Sequence, residues 1–461
     1  MTKPMLTLSD RFLLNGDTAR ALYAEVRELP IFDYHCHLNP RDIYENKPYS
    51  SLGELWLSGD HYKWRLMRAN GVPERLITGD ASYDEKFLAF AELLPKAAGN
   101  PIYHWVKMEL KAYFDIEEPL NARTAPAILA KANAMLAAGG FTPRELIARS
   151  RVKAVFTTDD PADSLEYHQK LRAEGYDVRV CPSFRPDMAV AGLTRAGFAD
   201  YVRRLGASTF DEWLAALEQR LDFFVANGCV ITDISLDDIP PVVGNYDTAR
   251  AAFDTVMCGG KPEEAATTVY FDFMLRHMAA LYAARDLVMQ LHLSALRNNR
   301  TALLQTAGVD SGNDSVGPAL SVRHLAAFLD TLDQANSLPR TIVYTLNPTP
   351  LYEIATMLGN FWHDGVNRLM LGAAWWHLDH VDGITEQLKL AASSGLLGNF
   401  TGMLTDSRSF TSYPRHDYFR RILCNVVGGW VDAGLYDPAE APALVKNIAY
   451  YNAEAYFAPK Q

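Results

Sequence analysis

The chain has 461 residues, 49% hydrophobic and 21% charged, enough apolar side chain for a large buried core, which excludes a disordered chain. Its formal net charge of −11, with no cluster of Lys and Arg, argues against nucleic-acid binding and against attachment to an anionic membrane. No run of eighteen uncharged apolar residues occurs, Asp10 and Arg11 interrupt the stretch where a signal peptide needs its apolar core, and the five cysteines form no CxxC pair; together these point to a soluble cytoplasmic protein without a membrane partner.

Eight short β-rich runs are predicted as strands: IFDYHCH (31–37), AVFTTDD (154–160), VRVCPSF (178–184), GCVITDIS (228–235), LVMQLHL (287–293), TIVYTLN (341–347), RLMLGAAWW (368–376) and NFTGMLTDS (399–407). Helix-length amphipathic segments fill most of the gaps, as a parallel sheet covered on both faces requires. The predicted fold is α/β, a (β/α)₈ TIM-type barrel, with a doubly wound open sheet as the alternative. The gap between His37 and Ala154 is too long for one crossover helix, and its segments 51–72 and 85–114 carry aromatic and Leu residues at spacings near three and four. The expected organisation is an N-terminal segment and first barrel strand over 1–40, an inserted helical subdomain over 41–150, and the remainder of the barrel over 151–461. GVDSGNDSVGP (308–318) reads as a loop, either a lid or plain surface.

In a parallel barrel the functional side chains collect at the carboxyl ends of the strands. Alternation along 31–37 sends His35 and His37 to one face, and the first and last strands of a closed barrel are neighbours, which brings Asp406 beside them. Two imidazoles and one carboxylate suit a single Zn²⁺, with Mn²⁺ or Fe²⁺ acceptable to the same donors. The other ends supply Arg185, Asp233, His292 with Arg297, Asn347, the pair Trp375 and Trp376, and Arg408. Three guanidiniums at one mouth suit an anion, a carboxylate above all; otherwise Arg297 and Arg408 pair with loop carboxylates. Trp375 and Trp376 alternate faces, so one of them is expected to look into the pocket. Tyr62, in DHYKWR (60–65), reaches the mouth only if the insertion folds over the barrel.

The blocks FDYHCHLNP (32–40), LGELWLSGDHYKWRLMRANGV (52–72), SFRPD (183–187), MQLHLSALRNN (289–299), LNP (346–348), AAWWHLD (373–379) and GMLTDSRSFTSYPRHDYFRRILC (402–424) resemble the uronate (glucuronate) isomerase family from about residue 6 to the C-terminus. The resemblance implies an amidohydrolase-superfamily barrel with a metal. It also implies interconversion of D-glucuronate with D-fructuronate and of D-galacturonate with D-tagaturonate, and a homo-oligomer such as a trimer. His35, His37 and Asp406 match the family's metal ligands. Arg185, Arg297, Arg408, Tyr62, His292, Asp233 and one of the two tryptophans match active-site positions, and His61 is a further candidate beside Tyr62. The chain departs from the family pattern at Ile234, where a His is expected after Asp233.

Such an isomerisation removes a proton from carbon 2 and delivers one to carbon 1 through a cis-enediol. Asp406 is expected to assist ring opening beside the metal, and Arg185, Arg297 and Arg408 to hold the hexuronate's carboxylate and the enediolate oxygens. Tyr62 is expected to move the proton, as a phenolate favoured by a nearby guanidinium, with His292 as a second acid or base. The alternative function is a mononuclear metal-dependent hydrolase on the same barrel. A bridging Lys or Glu of a binuclear centre is missing from GCVITDIS, so one metal is expected rather than two. A non-catalytic sugar-acid binding protein is a third reading.

Overall fold

Apolar runs without alternation become strands buried on both faces, as a parallel sheet under helices requires. The structure, a computed structural model, describes residues 11–362 and 368–458; residues 1–10, 363–367 and 459–461, including both outer ends of the expected segments, lie outside it. Among the described residues, seven of the eight predicted runs hold a regular strand: β1 (Ile31–Asp33), β2 (Val152–Phe156), β3 (Arg179–Cys181), β4 (Ile231–Leu236), β5 (Val288–Leu293), β6 (Arg340–Thr345) and β7 (Leu369–Leu371). Every residue of β5 is buried. Parallel ladders pair β1 with β2, β2 with β3, β4 with β5, β5 with β6 and β6 with β7. Phe184 bridges to Asp159 and to Thr232, which joins the first three strands to the rest.

The ring closes between the two ends of the chain. The Asp406 amide donates to the His35 carbonyl at 3.1 Å, and the His37 amide donates to the Ser407 carbonyl at 3.0 Å. An open doubly wound sheet would leave these ends as separate edges, so the architecture is the (β/α)₈ barrel.

The closing segment differs from the predicted strand 399–407, because residues 400–407 are irregular. Gly402 at φ 74° and Asp406 at φ 45° stand in the left-handed region, which interrupts a pleat. Hydrogen bonds hold the segment instead: the Tyr34 hydroxyl donates to the Gly402 carbonyl at 2.8 Å, and the Thr405 amide and hydroxyl donate to the Asp33 carboxylate at 2.8 and 2.6 Å. The first strand likewise stops at Asp33. His35 and His37 therefore converge through their bonds to residues 405–407, not through strand alternation.

Between β1 and β2 the chain forms seven α-helices, from Pro40–Glu45 to Pro143–Arg149, and no strand. Asp60 caps the helix His61–Ala69 by accepting from the amides of Tyr62 and Lys63, which fixes the first turn and with it His61 and Tyr62. After β5, a short antiparallel hairpin (Ala295–Leu296 with Ser315–Val316) carries the helix Thr301–Ala307 and the Gly/Asp/Ser loop; two-residue strands have no periodicity to read in advance. Among the described residues no helix is long and apolar enough to cross a membrane.

A Cβ on Gly402 would stand 2.2 Å from the Ile448 carbonyl oxygen, at a φ that L side chains avoid. Gly402→Ala is expected to cost about 2–4 kcal/mol of stability, read by chemical denaturation. A variant as stable as the parent would show that barrel closure does not depend on this left-handed position.

Candidate metal centre and active site

Asp406 gathers the site. Its Oδ1 lies 3.2 Å from His35 Nε2 and 3.1 Å from His37 Nε2. Its Oδ2 accepts from Trp375 Nε1 at 2.7 Å and from the Tyr62 hydroxyl at 3.3 Å. The three residues expected as metal ligands thus come together, each offering an atom within 4.8 Å of the others. His35 and Asp406 are buried, whereas His37 is partly open to the cavity above.

Behind them Asp233 is buried completely. Its Oδ1 lies 2.6 Å from His292 Nδ1, and its Oδ2 accepts from Arg185 Nη1 at 2.9 Å and stands 3.9 Å from His35 Nδ1. His35, Asp233 and His292 therefore form a second set at metal-ligand spacing. It is the poorer cation site, because Arg185 already compensates Asp233 and would repel an ion placed there. The first set fits a cation better. His35 Nδ1 is buried without a hydrogen-bond partner and faces Asp233, the arrangement in which a ligating imidazole is steadied by a carboxylate behind it.

A cavity of about 1160 Å³ lies over these groups, and His61, Arg185, His292, Arg297, Trp375, Trp376 and Arg408 all face it. Arg185 pairs with Asp187 at 3.0 Å as well as with Asp233. Arg297 pairs with Asp314 at 3.2 Å, donates to Ser235 Oγ at 2.8 Å and lies over the Trp376 ring at 5.2 Å. Arg408 pairs with Asp310 at 3.1 Å. The guanidiniums do gather at one mouth, and loop carboxylates also pair with Arg297 and Arg408; the two expectations are not exclusive.

Burial opposes protonation of His35, but the carboxylates of Asp233 and Asp406 outweigh it and raise its pKa. Burial also dominates at His37, lowering it to about 4 against the pull of Asp406. For Asp406 itself burial would raise the pKa, yet hydrogen bonds from the two imidazoles hold it well below the usual carboxylate range. Burial lowers His292, with Asp233 in opposition. Burial and the Asp406 carboxylate push the Tyr62 phenol well above its ordinary value; the Arg415 guanidinium, 5.1 Å from its ring, opposes them and loses. The direction of this shift opposes the phenolate expected from a nearby guanidinium.

Three further expectations change. Neither Asp233 nor Tyr62 lines the cavity wall: Asp233, expected as a substrate contact, anchors Arg185 and His292 from behind, and Tyr62 meets the site through its bond to Asp406. Trp375 and Trp376 both face the cavity, because β7 ends at Leu371 and Trp376 takes φ 51°, so strand alternation no longer applies. Asn347 turns away and donates to the Gly317 carbonyl at 3.0 Å. Sequence reasoning missed Asp187, Ser235, Asp310, Asp314 and Arg415. Asp187 stands in the block SFRPD, and Asp310 and Asp314 stand in the polar loop, but pairing with a particular arginine has no local signature.

Replacing the fully buried Asp233 by Asn leaves Arg185 short of a buried countercharge and is expected to cost about 3–5 kcal/mol in chemical denaturation at neutral pH. Burial would raise the Asp233 pKa, yet Arg185, His292 and His35 hold it below the ordinary carboxylate range. Its stabilisation is thus present above about pH 4 and lost as pH falls further, so the gap between parent and variant should narrow in acid.

A family model described as glucuronate isomerase matches residues 5–457. A curated relative from Caldicellulosiruptor bescii named uronate isomerase is 45% identical over 461 residues, covering 98% of this chain and 99% of the relative. The crystal structure of uronate isomerase from Thermotoga maritima superposes with a TM-score of 0.93 at 35% identity, covering 98% of this chain and all of that one. That of glucuronate isomerase from Caulobacter crescentus gives 0.91 at 26% identity, covering 99% and 97%. A match of this extent, on a barrel that brings His35, His37 and Asp406 together beneath three arginines, means that the chain belongs to the glucuronate isomerase family and is an isomerase.

Proposed function

We propose that this enzyme interconverts D-glucuronate with D-fructuronate and D-galacturonate with D-tagaturonate, using one divalent cation held by His35, His37 and Asp406. The observation that carries the proposal is the meeting of two imidazole nitrogens, each 3.1–3.2 Å from one carboxylate oxygen, at a cavity rimmed by Arg185, Arg297 and Arg408 in a chain of this family. Zn²⁺ suits two nitrogens and an oxygen best, and Mn²⁺ or Fe²⁺ is acceptable to them. When bound, such an ion supplies a Lewis acid that steadies negative charge on sugar oxygens.

The chain's own residues do the rest. Arg297 and Arg408 hold the uronate carboxylate, and Arg185, fixed by Asp187 and Asp233, faces the developing enediolate. His292 points its Nδ1 at Asp233, so its Nε2, buried and without a protein partner, is free to accept a proton. Burial keeps that imidazole neutral near pH 7, which suits it to take the proton from carbon 2. Tyr62, a neutral phenol hydrogen-bonded to Asp406, supplies the acid side of the exchange. The helices of 41–150 act as an insertion that delivers His61 to the barrel mouth, where it meets the edge of Trp376 at 5.6 Å, and Tyr62 to the Asp406 carboxylate beside it. The same reading includes a cytoplasmic homo-oligomer, such as a trimer. Hydrolysis on this barrel has no observation in its favour over isomerisation.

Incubation with D-glucuronate should yield a ketose, detected by a ketose-specific colour reaction, and the purified protein should carry about one equivalent of divalent metal. Asp406→Asn is expected to lose both metal and turnover; full metal content in that variant would remove Asp406 from the ligand set. Tyr62→Phe should lower kcat by about 10²–10⁴-fold and suppress tritium exchange between solvent and product. Unchanged turnover would take the phenol out of the proton path.

A further inference from the structure

The loop carboxylate of Asp310 stands where an incoming carboxylate would bind. Its Oδ2 is 3.1 Å from Arg408 Nη2 and its Oδ1 is 3.9 Å from Arg297 Nη1, at the edge of the cavity and about half exposed. Among the described residues it supplies the one carboxylate paired with Arg408, whereas Arg297 also has Asp314 and Ser235. Burial at the cavity edge would raise the Asp310 pKa, but Arg408 and Arg297 hold it low, so the group is ionised at neutral pH.

The backbone beneath this side chain is pinned. Arg68 donates to the Ser311 carbonyl, and Arg65 Nη1 donates to the Asp314 carbonyl at 2.5 Å. The Asn298 amide donates to Asp314 Oδ1 at 2.7 Å, and the Asn299 amide to the Asn313 carbonyl at 2.9 Å. At Gly312, φ 84°, a Cβ would stand 2.7 Å from the His61 carbonyl oxygen, so the loop lies directly on the helix His61–Ala69. With residues 311–314 fastened on two sides, the Asp310 side chain can turn about its own bonds without moving the loop.

We propose that Asp310 is an internal competitor for the substrate's carboxylate: as a uronate enters, the Asp310 side chain swings off Arg408 and Arg297 and the uronate carboxylate takes its place. The exchange is charge for charge, so neither guanidinium is left unpaired in a partly desolvated site. A neutral aldose offers no such replacement, and Asp310 then stays on the arginines. Asp310 thus sets both the affinity for uronates and the requirement for a carboxylate. The inference rests on the uronate reading above.

The test uses the holoenzyme with Asp310→Asn and Asp310→Gly, both suited to the φ of 55° at this position. Two quantities are measured: KM for D-glucuronate, and Kd by calorimetry for D-glucarate, which carries the carboxylate but has no aldehyde to isomerise. Removing a partly exposed competing pair should tighten Kd and lower KM by about two- to fivefold in both variants. Unchanged or weaker binding would overturn the competitor role and make Asp310 a support for the arginines. If the parent enzyme turns over no hexuronate while D-glucarate still binds more tightly to the variants, the isomerase reading fails and the competition stands. Normal turnover with unaltered Kd and KM would instead leave the isomerase reading standing and remove the competition.

Discussion

One aspartate joins the two ends of the chain and the two halves of the site. The Asp406 amide hydrogen-bonds to the His35 carbonyl, its Oδ1 faces both imidazoles, and its Oδ2 takes bonds from the insertion through Tyr62 and from the β7 side through Trp375. Its left-handed backbone makes this reach possible, and an Asp tolerates that conformation better than most side chains. Barrel closure and the gathering of the two imidazoles around one carboxylate are therefore the same event. A shift of the closing segment would move the carboxylate and the histidines' hydrogen-bond partners together.

Around this point the charges are arranged in pairs. Arg185 sits between Asp187 and Asp233, Arg297 between Ser235 and Asp314, and Arg408 faces Asp310. The first two each set a buried carboxylate, Asp233 or Asp314, against the guanidinium; the third involves a half-exposed carboxylate at the cavity edge. Buried ions are costly unless compensated, which is why Asp233 serves two partners at once. Asp406 differs in being surrounded by imidazoles, an indole and a phenol, none carrying a fixed positive charge. That difference makes it the better place for a cation.

Much of the barrel was legible in the sequence. Strands such as LVMQLHL are buried on both faces and leave a continuous apolar run, and the helical text between β1 and β2 shows spacings near three and four. The closing segment was legible as an element but not as a shape, because Gly402 and Asp406 break the pleat with backbone angles that no periodicity reports. The same limit applies to Trp375 and Trp376, whose common orientation follows from one left-handed residue.

By itself the sequence determined the residue types that chemistry needs: an HxH pair, a late aspartate, arginines after apolar runs, and blocks of text long enough to mark a family. Only the tertiary structure decided who pairs with whom. It put Asp233 behind the wall, buried the Tyr62 phenol beside the Asp406 carboxylate, which pushes its pKa up, and set Asp310 against Arg408. The physical reason is that strand patterns and motifs are local, repeating every few residues along one chain. The strength of an ion pair or the pKa of a phenol depends instead on distance and desolvation between groups hundreds of residues apart, such as Tyr62 and Asp406.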